Sequence, residues 1–341
     1  MAARAQNEVT ISPTAGRDSV RARYIQRFPD HFFLYPVLKQ RKIDFDMRRE
    51  REPTRTGDGM AFKSNKPYSL GVGMYLFEAV VEVAFAIPMA AHSKEIYGES
   101  DATDLQLNVY GARWGGELNY QKYHGLYVED LSRKVPANTP YPQRPDITTQ
   151  NFGATVYYTI NSKKFSFRAA YNFAERQLIR AGSPVVFVSL NSFRTEGDSA
   201  LIGKQYINRF GDDAIIERIR VNTLGIAPGY SYNLVYKSFF LNGTLAIGPS
   251  YNSVNYAHDD GMDHNTDKVN LFIATRLSIG YNGERFFGGF SFGSQGRSAK
   301  FDHVTFSSSN TNFKVLFGYR IREFGFLKKR LWDIPKNLFG R

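Results

Sequence analysis

Cysteine is missing from all 341 residues, and tryptophan occurs only twice. The first absence removes disulfide staples and thiolate chemistry, whether nucleophile or zinc ligand, and suits export through an oxidising compartment. No run approaches the roughly 18 consecutive apolar residues of a membrane-crossing helix. Catalytic signatures are missing too: there is no Gly-x-Ser-x-Gly elbow and no His-Glu-x-x-His pair. The six histidines, His31, His92, His124, His258, His264 and His303, are scattered. Neither a nucleic-acid module nor a basic face with presented aromatics can be read, which leaves nucleic acid out as a partner.

What the chain has in abundance is aromatics, 28 Phe and 21 Tyr, together with 29 Gly. Its dominant pattern is a period of two. Val269, Leu271, Ile273, Leu277, Ile279 and Tyr281 alternate with Asn270, Ala274, Arg276, Ser278 and Gly280. Successive side chains of a strand point to opposite faces, so the pattern describes strands with one greasy and one wet surface. It recurs around residues 43–47, 70–76, 81–87, 105–109, 118–120, 152–160, 165–173, 219–232, 239–251, 269–281, 286–292 and 313–321. Near Thr223 the parity changes, which predicts a bulge. Asn282-Gly283 is a hairpin signal.

Spacing between these segments gives a direction. Short links near 77–79, 112–115, 161–164, 233–237 and 282–284 alternate with long ones near 49–66, 88–102, 127–147, 177–216, 253–267 and 297–311. Membrane barrels pair short periplasmic turns with long external loops, whereas a soluble sandwich has no reason to sort them. The expectation is therefore an all-β, transmembrane antiparallel up-and-down β-barrel of about 12 strands (10–14 possible) in a bacterial outer membrane, with both termini periplasmic.

Charge divides the chain into three parts. Residues 1–55 hold 12 Lys and Arg against 7 Asp and Glu, and residues 318–341 hold 7 against 2, so most of the net +12 sits at the two ends. Residues 1–39 are read as an N-terminal periplasmic segment, with a short helix around Ser19–Arg27. Its start, Ala3-Arg4-Ala5, is either the remnant of a signal-cleavage region or an ordinary alanine-rich terminus. Residues 40–321 form the barrel. Residues 322–341 read as a basic amphipathic tail that lies at the membrane interface or caps the barrel mouth.

Several short motifs resemble an uncharacterised outer-membrane β-barrel family of Bacteroidota: Tyr24-Ile25-Gln26-Arg27-Phe28-Pro29-Asp30, Ala181-Gly182-Ser183, Gly197-Asp198-Ser199-Ala200-Leu201, Ala227-Pro228-Gly229-Tyr230 and Phe317-Gly318-Tyr319-Arg320-Ile321. The resemblance spans most of residues 20–321. It implies an outer-membrane location and carries no reaction, cofactor or catalytic residue.

If the apolar parity faces lipid, the other lines the lumen. That set holds Asp44, Asp46, Glu82 and Glu117 on early strands and Arg168, Arg276, Lys314 and Arg320 on late ones. Closing the barrel brings the first strand beside the last, which predicts ion pairs of Asp44 and Asp46 with Lys314 and Arg320. Buried charges must be paired, so this set reads first as a structural network. The loop carrying Asp259, Asp260, Asp263 and Asp267 has calcium-type ligands but not EF-hand spacing, so it is a weak metal candidate. Arg48-Arg49-Glu50-Arg51-Glu52-Pro53-Thr54-Arg55 offers guanidinium forks to lipopolysaccharide phosphates, or is simply a solvated loop. Lumen glycines such as Gly71, Gly153 and Gly293 either leave a thin passage or make room for Tyr75, Tyr157 and Phe287.

The expected protein is a non-enzymatic outer-membrane barrel, a component of an envelope assembly or a narrow channel, needing no cofactor. Its partners are the lipid bilayer, lipopolysaccharide and envelope proteins. The alternative is a lipid A or phospholipid hydrolase with a site at the barrel rim. His124 is the histidine best placed for it.

Overall fold

Which face of a strand is apolar changes along this molecule, and that change explains most of its architecture. The computed structural model describes residues 19–29, 31–49, 59–76, 79–210, 215–258, 262–301 and 303–322. In chain order the elements are α1 (Ser19–Tyr24), β1 (Ile25–Arg27), β2 (His31–Arg49), β3 (Gly59–Lys63), β4 (Ser69–Leu76), β5 (Ala79–Ala86), α2 (Ala91–Tyr97), β6 (Asp101–Tyr110), β7 (Trp114–Asp130) and β8 (Gln143–Thr159). They continue as α3 (Phe167–Tyr171), β9 (Glu175–Gln177), β10 (Ala181–Glu196), α4 (Ile207–Phe210), β11 (Ile216–Tyr236), β12 (Phe239–His258), β13 (Asp263–Asn282), β14 (Phe286–Phe301) and β15 (Val304–Arg322). No helix of the described residues is long and apolar enough to cross a membrane.

The fold is an all-β antiparallel barrel. Ten strands, β2, β3, β7, β8 and β10 to β15, form a ring closed by the β15–β2 pairing, which runs from Val304↔Arg49 to Arg322↔His31. Long β2 changes partner half-way. Near the long-loop end it pairs β3 (Phe45↔Phe62), and near the short-turn end it pairs β4 (Leu38↔Leu70). Between β2 and β7 the wall thus holds one strand above and three below. The lower set is β4 and β5 on one side and β6 on the other, and β6 pairs only with β7. Among the described residues no ladder joins β5 to β6. The wall begins at His31 rather than at residue 40.

Outward side chains make an apolar belt. On β12 the exposed residues run Phe239, Leu241, Leu245, Ile247, Tyr251. About twelve steps at ~3.4 Å, tilted by roughly 40°, cover about 30 Å, the thickness of a hydrocarbon core. Exposed Trp114, Tyr236, Phe239, Tyr281, Phe286 and Tyr319 edge the belt at the turn end, and Tyr120, Phe152 and Tyr251 at the loop end. Aromatic girdles of this kind mark membrane–water interfaces.

Above the belt the apolar parity moves inside. On β11, Leu224 and Ile226 are exposed while Val221 and Ile219 are buried, although the register with β12 does not shift between Arg218 and Tyr236. The expected bulge near Thr223 is therefore absent. The register shift lies between Ile216 and Arg218. What changes at Thr223 is the surroundings: below it the outside is lipid, above it the outside is water. The same switch corrects the first strand, where Ile43, Phe45 and Met47 face inward in the upper half, so Asp44 and Asp46 face outward.

Two apolar clusters fill the barrel from its ends. At the loop end Phe45, Met47, Phe62, Phe193, Phe301 and Phe306 pack together with Leu201, Ile202 and Phe210 from the segment between β10 and β11. At the turn end Phe33, Tyr157, Phe187, Phe240 and Phe287 pack around Phe165, Phe167, Tyr171 and Phe173. That last set was expected as a strand. Instead residues 160–180 fold back into the barrel around α3, capped by Ser166, whose hydroxyl accepts from Ala169 N. Surrounded by core on every side, its apolar residues satisfy either period. The missing wall strand is β10, expected as loop. Val185 and Phe187 face the plug while Val186, Val188 and Leu190 face lipid, so its turn-end half shows no alternation. Gly115 and Gly318 are required by this filling. A Cβ at either would lie 2.0 Å from the Tyr157 ring or 2.2 Å from the Phe287 ring.

Candidate functional site

Between the two apolar clusters lies a polar chamber. Its charges are arranged around two carboxylates, one from each side of the gap in the wall. Glu82 of β5 receives Lys314 at 3.1 Å and Lys39 at 3.6 Å, and accepts a hydrogen bond from the Tyr35 hydroxyl at 2.8 Å. Asp104 of β6 is paired with Arg41 and, at 2.6 Å, with Lys66. Alternation puts these groups inside: Lys39 and Arg41 share the parity of Ile43 and Phe45, and Asp104 opposes outward Leu105. Lys39 and Lys314 are also direct partners across β2 and β15, which is why both reach the same carboxylate.

Deeper in, Glu117 pairs with Arg276 at 2.9 Å and accepts from Gln295 Nε2 at 3.1 Å. The Arg276 guanidinium lies over the rings of Phe187 and Tyr157, at 4.9 and 5.0 Å. Two adjoining cavities of about 70 and 320 Å³ connect the three carboxylates, with Arg41, Gln106, Asn108, Tyr110, Tyr171 and Lys314 shared by both. Five cations thus face three carboxylates. Arg297, stacked at 5.1 Å over Phe272, donates to Ser189 and Gln295 instead of a carboxylate.

The turn-end plug has its own charged frame. Glu175 accepts from Arg21 Nη2 at 2.8 and 2.9 Å and from the Ser166 hydroxyl at 2.5 Å, with Arg168 at 3.5 Å. Arg21 belongs to α1, and β1 pairs with β9, so residues 19–27 close the turn end together with the plug. Arg320 donates to Gly283 O, Phe173 O and Asn282 Oδ1 at 2.5, 2.6 and 2.7 Å. At the opposite end Arg209 of α4 grips Asp130 at 2.7 and 3.1 Å and holds its carboxyl well below the usual carboxylate range. Arg144 hydrogen-bonds Asp146 at 2.8 and 2.7 Å and shifts its carboxyl in the same direction.

A family whose description reads "Domain of unknown function (DUF4421)" matches residues 17–321. The chain belongs to this family. No curated protein matches the DUF4421 chain. Among solved structures it is similar to outer-membrane expressed OmpT of Vibrio cholerae, at 10% identity, 87% of this chain and 100% of that chain, with TM-score 0.27. It is also similar to Ail, the attachment invasion locus protein of Yersinia pestis, at 11% identity, 61% and 99% coverage and TM-score 0.23. The transport unit of the autotransporter AIDA-I from Escherichia coli gives 8%, 91% and 94%, with TM-score 0.26. The outer-membrane location of the DUF4421 barrel rests on its own belt, since closed antiparallel barrels with a lipid-facing aromatic-edged band belong to outer membranes.

Against the sequence reading, the DUF4421 barrel brings Glu82 to Lys314 and Glu117 to Arg276, and carries Arg168 on the plug, where it donates to the Tyr75 hydroxyl at 2.9 Å. The pairs of Asp44 and Asp46 with Lys314 and Arg320 do not form. Asp44 lies opposite Ser309 and accepts from Ser64 N, while Asp46 holds Arg48 at 2.6 Å on the outside. The physical reason is the parity switch at the top of the belt. Asp259 and Asp260 lie outside the described residues, as do Glu50 to Arg55, the first residues of the chain and the basic tail beyond Arg322. Asp263 pairs with Arg218 at 2.7 Å, and the described residues contain no group of three or more metal-ligating side chains. His124 is on the outer face, 3.0 Å from Thr148 Oγ1. Sequence reasoning missed Lys39, Arg41, Lys66, Asp104 and Glu175. The first two would have followed from correct parity on β2, whereas Glu175 sits in a stretch with no period at all.

Proposed function

We propose that this protein is a non-enzymatic outer-membrane barrel, closed along its axis, that serves as a component of an envelope assembly. The observation that carries this reading is the filling of both ends by apolar clusters, one from residues 201–210 and the wall, the other from the 160–180 plug and the wall, with β1 paired to the plug's β9. An ion crossing along the axis would have to displace packed Phe and Tyr rings twice. The narrow-channel reading is therefore disfavoured, and the rim-hydrolase reading finds no support in His124, whose described hydrogen-bond partner is a threonine. In this reading the turn end faces the periplasm, the source organism is a member of the Bacteroidota, and the lipid partners are the bilayer and lipopolysaccharide.

Planar-bilayer recording of the full chain tests it. The expected result is no stable conductance in molar salt, together with migration in mild detergent above the mass of a monomer in extracts of native membranes. Steady, salt-dependent steps would overturn the closed barrel. Monomeric migration from native membranes would overturn the assembly role.

A further inference from the structure

The chamber is closed at both ends but not at its side. In the lower half of the wall, β5 and β6 run next to each other without a ladder among the described residues, while each is fully paired on its far side. The larger cavity reaches this gap. It is lined both by inward groups such as Lys39, Lys66 and Glu82 and by Val83, Leu105 and Leu107, whose side chains face out. Gln106 shares the inward parity of Asp104 and Asn108, yet it is exposed, as expected where the wall beside it is open. The gap lies within the lipid belt. Val81, Val83 and Phe85 on one bank and Leu105, Leu107 and Val109 on the other are each more than half exposed. Above it α2 forms a roof, pinned by Asn65, whose side-chain amide donates to Ser93 O and Gly98 O.

Free strand edges within hydrocarbon are costly, because no water is present to satisfy them. Behind these edges each carboxylate is shared by two cations, so positive charge is in excess. A partner strand would satisfy the edges but leave that charge uncompensated behind it. We propose that the β5–β6 cleft is a binding site for an anionic membrane lipid. Its phosphate head enters the chamber to accept hydrogen bonds from Lys39 and Lys66, and its acyl chains lie outside over the apolar banks. Ammonium and guanidinium donors suit phosphate oxygens, and lining the polar head with fixed donors while the tails stay in the belt leaves neither part in the wrong solvent. The inference goes beyond the closed-barrel reading. Conductance would refute that reading without touching this site, and a lipid-free cleft would refute the site without opening the axis.

The test uses the full chain, delipidated in detergent and then loaded from vesicles of phosphatidylglycerol or of phosphatidylcholine, with retained lipid read by native mass spectrometry. The expected result is one phosphatidylglycerol per barrel and no retained phosphatidylcholine. The double variant Lys39→Gln, Lys66→Gln leaves each carboxylate one cation, Lys314 or Arg41. It should retain phosphatidylglycerol roughly tenfold less well. Independently, Val83→Cys with Leu107→Cys, in a chain that otherwise has no cysteine, allows a short bis-maleimide to bridge the cleft. Bridging before loading should exclude the lipid, and bridging after loading should trap it through washing. Equal retention of both lipids, or retention indifferent to the bridge, would overturn the proposal. So would displacement of the lipid by millimolar inorganic phosphate alone, which would make the chamber a free-anion site.

Discussion

Replacing Arg320 with methionine should loosen the turn-end plug without unfolding the wall. The guanidinium is almost wholly buried, and its three shortest hydrogen bonds go to three places: the plug (Phe173 O), the β13–β14 turn (Gly283 O) and the wall (Asn282 Oδ1). Hydrogen bonds to a charged donor contribute ~1.5–3 kcal/mol each. Their plain sum overstates the loss, since the variant also relieves the burial of a charge and water can reach the rim from the turn end. Methionine keeps much of the packing between Phe28 and Phe287, whose rings lie 4.0 and 4.7 Å from the guanidinium carbon. The expected loss is therefore about 3 kcal/mol, with lysine, which lacks the planar fork, losing about half as much. Phe173 makes the site sensitive, because it holds φ at +57°, where a bulky residue is strained, and Arg320 grips the carbonyl of that residue. Urea unfolding in vesicles followed by Trp114 fluorescence reads the stability, and hydrogen exchange over Phe165–Gln177 reads the plug. A Met variant within about 0.5 kcal/mol of the parent, an ordinary surface-substitution effect, with unchanged plug exchange, would refute the clamp.

Two further outcomes follow from the same contacts. Glu117→Gln removes the carboxylate that faces buried Arg276, leaving the guanidinium among rings, and should cost about 3–5 kcal/mol in the same unfolding assay. Adding Arg276→Met should recover part of it, and a single variant as stable as the parent would count against the pair. At the loop end, the Asp130 carboxyl is held below its ordinary range mainly by hydrogen bonds from Arg209. Its folded pKa lies below its unfolded one, so its contribution is complete above the unfolded value near pH 4 and fades as pH falls below it. The stability gap between the parent and Asp130→Asn should accordingly be constant from pH 8 to 6 and shrink below about pH 4. A gap that widens on acidification would contradict the assignment.

The barrel class and most wall strands are legible in the chain because lipid imposes one greasy face per strand over the belt. Val269 to Tyr281 and Phe313 to Ile321 show this without ambiguity, and both run as strands with those residues outward. Legibility ends where the surroundings of a strand change. Ile43, Phe45 and Met47 look like a lipid face, but they stand above the belt, so sequence parity puts Asp44 and Asp46 on the wrong side and hides Lys39 and Arg41. It ends again inside the barrel, where Phe165 to Phe173 are apolar on all sides and period carries no information. The break between β5 and β6 has no sequence mark either. Both strands alternate cleanly, and which strand neighbours which is decided by β2 exchanging β3 for β4.

The parity switch also fixes the height at which the barrel floats. On β11 and β12 the border is sharp: Leu224 and Tyr251 face outward just below it, and Asn222 and Ser253 share their face just above. Raising the molecule by one residue pair would bring a ring of greasy side chains into water, and lowering it would pull amides and hydroxyls into hydrocarbon on several strands together. Each strand adds its own small penalty to the same displacement, so the bilayer must thin or thicken to fit the protein. A barrel pinned in this way presents the β5–β6 gap at one constant depth, level with the same stretch of the lipids around it.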